Sequence, residues 1–193
     1  AEDGIRDVAV TGVQTCALPI FLGMSVSETT ALTAILAAGG LIGFSWASRV
    51  LSKGSDPFRM ASLGALIGIP AFVFIILSAS LLQKNLFIAG AFLIGFGGGL
   101  FSHGTLTATM QMAPEDQRGL ALGAWGAVQA TAAGFAIGLG GIMRDIVVAL
   151  GDASWIPEGL ISPTTGYFLV YCLEIVLLIA TILSMIKLIY KKV

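Results

Sequence analysis

Charge is what this sequence lacks most. Only 11% of its 193 residues are Asp, Glu, Lys or Arg, less than half the share usual in a soluble domain. Too few polar side chains remain to coat a water-facing surface, which excludes an ordinary soluble globule. Histidine occurs once and cysteine twice. With no paired carboxylates inside the apolar runs, those residues cannot build a catalytic triad, an acid–base dyad or a metal cluster, so no enzyme is expected. No run of Lys and Arg suggests nucleic acid. The one glycine-rich string, "GFGGG" at residues 95–99, lies inside an apolar run and reads as helix packing, not as a phosphate-cradling loop.

The first twenty residues are unlike the rest. Residues 1–7 and 10–20 read as in-frame translations of the two constant parts of a common sequencing-library adapter, with Val8 and Ala9 at the place of the barcode. On this reading residues 1–20 are an artefact, set aside as one sets aside a tag. The genuine chain is then expected to begin at or near Phe21, inside a gene, with its true start missing. Excluding these residues leaves nine basic and eight acidic side chains. Cys16 falls among them, so Cys172 is alone in an apolar segment and implies no disulfide.

What the sequence does have is apolar length. It is 56% hydrophobic with 25 glycines, and several uncharged runs reach the ~20 residues that cross a hydrocarbon core of about 30 Å. The expected class is an all-α integral membrane protein with spans at about 28–51, 58–81, 86–110, 118–143 and 167–189. Local signals fix several ends. Ser25 and Glu28 have capping-box spacing, and Gly54 is placed to stop the first span. Asp56 suits an N-cap and Pro57 the first helical position, while Pro70 should bend the second span. The fourth helix can continue to Leu150, about 50 Å in all, its last part projecting beyond the hydrocarbon with Arg144 and Asp145.

Basic residues set the expected orientation. Arg49, Lys53 and Arg59 follow the first span, and Lys187, Lys191 and Lys192 end the chain. With five spans both groups lie on one side, so the C-terminus is expected to be cytoplasmic and residue 21 outside.

Because lipid tails are as apolar as leucine, helix association must come from close backbone approach, which small residues permit. Ala91, Gly95, Gly99, His103 and Thr107 recur every four residues in the third span. Gly119, Gly123, Ala127 and Thr131, then Gly134 and Gly138, do much the same in the fourth, and Gly39 and Gly43 mark the first. These faces are expected to pack on one another, so that Gly99→Leu or Gly123→Leu causes misassembly.

Two segments carry a family resemblance. "GFSWASRVLSKGSDPFR" resembles, in relaxed form, the cytoplasmic loop motif of the major facilitator superfamily, with Gly43, Arg49, Gly54 and Arg59 in its places and Ala47 where an acidic residue is common. "GFGGGLFSHGTLTATMQMAPEDQRGLALGAWGAVQATAAG", residues 95–134, resembles the bacteriochlorophyll-delivery, PucC/LhaA-like branch of that superfamily; "TTALTAILAAGGLIGF" and "SPTTGYFLVYCLEIVLL" extend the likeness over residues 21–193. The resemblance implies a twelve-helix parent of two six-helix halves, with this chain holding spans eight to twelve. The first half and the first helix of the second would be absent. It further implies a role in assembling light-harvesting complexes, with bacteriochlorophyll as cargo or antenna polypeptides as partners.

Polar groups inside a membrane are few and costly, so each is a candidate. Glu174 could contact a pigment or polypeptide, act as a protonatable switch, or lock two helices by a hydrogen bond. His103 could ligate the magnesium of a bacteriochlorin or bond a neighbouring helix. Gln129 could reach a pigment carbonyl or another helix. Trp125 could stack on a flat macrocycle or simply sit near an interface, where Trp155 is expected to anchor. Three functions stay open: a pigment-handling assembly factor, a secondary transporter of a small solute, and a structural partner that scaffolds antenna helices. Beyond the bilayer, the expected partners are the parent's missing N-terminal half, antenna polypeptides and bacteriochlorophyll, with no nucleic acid.

Overall fold

The computed structural model describes residues 22–151 and 165–191. The adapter-like residues 1–20, the loop with Trp155, and Lys192 lie outside the described residues. The described residues form five α-helices: α1 (Val26–Leu51), α2 (Pro57–Leu81), α3 (Lys84–Met112), α4 (Arg118–Gly151) and α5 (Thr165–Lys191), with one 3-10 turn at Glu115–Gln117 between α3 and α4. All five are long and apolar enough to cross a membrane, and no strand occurs among the described residues.

The helix ends follow from local chemistry. At the start of α1, Ser25 N–H donates to Glu28 Oε2 at 2.6 Å while Glu28 N–H donates to Ser25 Oγ at 3.2 Å, a reciprocal capping box. Lys84 Nζ at the start of α3 reaches Glu28 Oε1 (3.3 Å) and the Gly23 carbonyl (3.0 Å), tying two helix ends together. Gly54, at φ +89°, turns the chain after α1, a conformation that a side chain would strain. Asp56 then caps α2 by accepting from Phe58 N–H at 2.8 Å, with Pro57 at the first position. Pro70 lies inside α2 without ending it. α4 runs eight residues past the span boundary expected at 143.

α3 is the spine. It packs on α1 along one face and on α2 along another, while α1 and α2 scarcely touch. α5 rests on α2 and hardly meets α3; α4 makes only light contact with α3 and α5. Two buried clusters hold the ends of the three-helix core: Leu32, Ile75, Phe87 and Ala91 at one end, Ala47, Met60 and Leu100 at the other.

The α1–α3 seam is the one that four-residue spacing predicts. A Cβ added at Gly95 would collide with the Leu36 carbonyl, and one at Gly99 with the Gly40 carbonyl. In return, Gly39 and Gly43 face the carbonyls of Phe92 and Phe96. A second seam, between α2 and α3, went unpredicted. A Cβ at Gly64 would lie 2.5 Å from Gly97 O, one at Gly104 2.8 Å from Ala61 N, and one at Gly90 2.9 Å from Ala71 O. Gly90, Gly97 and Gly104 recur every seven residues, which was the available signal.

The fourth span's stripe is a correction. An added Cβ at Gly119, Gly123, Gly134 or Gly138 would meet nothing within 4 Å. Among the described residues this face of α4 is not a packing face, because α4 leans on its neighbours too lightly for its small residues to be buried. Gly123→Leu therefore loses its reason to disturb the described core.

Candidate functional site

The four candidate polar residues do not converge. His103 is on the α1 side of α3, its ring edge-on to Phe44 at a centroid distance of 4.2 Å. Trp125, on α4, is half-buried, and its Nε1–H donates to Thr105 Oγ1 at 3.2 Å, so its polar handle already joins two helices. Gln129, one turn further along α4, is partly exposed. Glu174 lies on α5, at a pocket shared with residues of α2 and α3 but not with His103, Trp125 or Gln129. Around the loop motif, Gly43 is buried against α3 and Arg49 is exposed in the last turn of α1. Arg59 borders a shallow recess of about 280 Å³ with Ser55, Asp56 and Met60. The motif therefore forms the turn between α1 and α2 and leaves both arginines exposed.

His103 fits a magnesium ligand poorly. Its Nδ1 is buried and has no hydrogen-bond partner, so only Nε2 could bind a metal. Ligation through Nε2 puts the ring proton on Nδ1, and metal-binding imidazoles hold that proton on an acceptor. None is present among the described residues. His103→Leu should therefore leave the melting temperature unchanged or raise it. Removing an orphaned buried nitrogen is worth about 1 kcal/mol, and detergent-stable thermal unfolding would read it. A loss of several degrees would show that the ring has a partner.

Glu174 is differently placed. It lines a half-open groove of about 300 Å³ between α2, α3 and α5, where α5 rests on α2 and stands off α3. The glycine walls of α2 and α3, the rings of Phe72 and Phe101, and Leu178 and Thr181 of α5 complete it. The side-chain hydroxyls along these helices mostly donate back to carbonyls of their own turn: Ser62 to Phe58, Thr105 to Phe101, Thr181 to Leu177 at 2.8 Å and Ser184 to Ala180. The Glu174 carboxyl makes no hydrogen bond or ion pair among the described residues. Sequence reasoning singled out Glu174 but not the cavity, because an unfilled volume between three helices leaves no mark on any one of them.

Comparison with known proteins decides the family. The family described as "PUCC protein" matches residues 20–193. The chain belongs to the PUCC family. It is 62% identical over 126 residues to Protein PucC of Rhodovulum sulfidophilum, covering 65% of this chain and 28% of that protein. It is 52% identical over 167 residues to Protein PucC of Cereibacter sphaeroides, covering 86% and 35%. The Rhodobacter capsulatus Protein PucC is 48% identical over 168 residues, covering 86% and 36%. The chain thus spans about a third of the length of these relatives. No solved structure matches it. The PUCC match begins at residue 20, the last of the adapter-like stretch.

Proposed function

We propose that this chain is part of a membrane assembly factor for bacterial light-harvesting complexes, one that delivers bacteriochlorophyll or chaperones antenna polypeptides and catalyses no bond change. The observation that carries this reading is the PUCC match along residues 20–193. Its place would be the inner or intracytoplasmic photosynthetic membrane, with the C-terminus cytoplasmic and a major-facilitator architecture completed by the rest of the parent polypeptide. An interior with few polar anchors suits apolar cargo better than a water-borne solute. The two anchors on separate faces, His103 and Glu174, argue against one pigment spanning both.

A strain lacking the full-length protein tests this. Near-infrared antenna absorption should fall by at least half and return when the gene is restored. Unchanged antenna absorption would overturn the proposal. The unpartnered carboxyl of Glu174 favours one second reading, a secondary transporter with a protonatable coupling group. Saturable uptake of a soluble substrate into liposomes, lost in Glu174→Gln, would select it.

A further inference from the structure

The cavity beside Glu174 has features that helix packing does not require. Gly64 and Gly97 are forced, since each faces the other's backbone. Gly98 is not: a Cβ there would meet nothing within 4 Å, yet Gly98 lines the cavity. Gly98 is itself exposed, so the position stays bare on the open side of the groove, where a side chain would narrow it without striking a helix. The lining is long and one-ended in its polarity. Glu174 and Thr181 both face the cavity, seven residues apart, which is about 10 Å along α5. Thr181 has spent its proton on Leu177 O, while the Glu174 carboxyl is unpartnered. A carboxyl facing hydrocarbon without a partner is costly, and polar groups so placed find one.

Size narrows the occupant. Three hundred cubic ångströms is about ten water-sized volumes and the lower limit of ligand pockets. A half-open groove of this size suits a narrow chain laid along it. We propose that this cavity binds a hydrocarbon chain of roughly ten to fifteen carbons ending in an alcohol or ester, whose oxygen pairs with the Glu174 carboxyl while the chain lies along α5 toward Thr181. The same chemistry occurs in the acyl ester of a membrane lipid and in the isoprenoid alcohol of a lipid or pigment tail. Either fits whether or not the protein serves antenna assembly, so one reading can fail while the other stands.

The test uses a full-length family protein carrying this segment, purified in mild detergent and titrated with 1-dodecanol, farnesol or dodecane, with bound ligand counted by native mass spectrometry. One alcohol should bind per protein, at least tenfold tighter than dodecane. Gly98→Leu should abolish alcohol binding while leaving the melting temperature near wild type; if it melts early, Gly98→Ala supplies the smaller plug and should weaken binding several-fold. Glu174→Met, equal in length, should bring dodecanol down to the level of dodecane. Tighter farnesol indicates an isoprenoid source and tighter dodecanol an acyl source, and both support the site. Binding that ignores the plug at Gly98, or dodecane bound as tightly as the alcohols, overturns it.

Discussion

Gly95→Leu is expected to abolish assembly of the α1–α3 pair. The new Cβ would strike the Leu36 carbonyl and come within 3.0 Å of Gly40 N. Both are backbone atoms, which cannot rotate aside as a side-chain tip can. The helices must therefore separate, and separation forfeits every close contact made by Gly39, Gly43 and Gly99 along the same seam. In a bilayer there is little to compensate, since dispersion at short range is the main attraction between apolar helices. In the full-length protein the expected result is loss of monodisperse material in mild detergent. Hydrogen exchange should show the amides of α1 and α3 deprotected. Gly123→Leu is the contrast, because its new side chain enters open space among the described residues. It should leave the exchange protection of α1, α2 and α3 as in the wild type. Equal protection in Gly95→Leu would mean that the seam is not what joins these helices.

That contrast marks what the sequence could disclose. Caps and turns are local chemistry, and Ser25, Glu28, Gly54, Asp56 and Pro57 all perform in the structure the tasks their types and spacings suggest. Apolar length gave five helices for the same reason. The four-residue stripe found the α1–α3 seam, since Gly95 and Gly99 repeat on one face. It missed the α2–α3 seam because Gly90, Gly97 and Gly104 repeat every seven residues on a different face of the same helix. It misled on α4, where Gly119 and Gly123 have the same spacing and no neighbour. A row of small residues states how near a partner could come, not whether one is there. His103, Glu174, Trp125 and Gln129 could each be named from rarity, yet rarity carries no pairing information. Only the fold separates His103 against Phe44 from Glu174 at a cavity wall.

Leu100→Ala should have the next largest effect, and its size identifies the force that holds the core. Leu100 is fully buried, packed with Ala47 and Met60 where α1, α2 and α3 meet. In a soluble core this truncation costs about 2–5 kcal/mol, the sum of a transfer from water and a residual cavity. Here the transfer largely disappears. Separated helices remain in hydrocarbon, where a leucine is as well solvated as it was in the bundle. What remains is the lost packing around the cavity, about 1–2 kcal/mol by the same cavity scale. Reversible unfolding of the full-length protein in mixed micelles, or a steric trap in bilayers, would measure it. Val128→Ala on α4, at a residue 67% exposed, should cost less than about 0.5 kcal/mol. A Leu100→Ala cost near 4 kcal/mol would mean that unfolding brings this segment into water, so that hydrophobic transfer contributes after all. A cost near zero would mean that α1, α2 and α3 do not close around Leu100, and the cavity between α2, α3 and α5 would lose the rigid wall on which its shape depends.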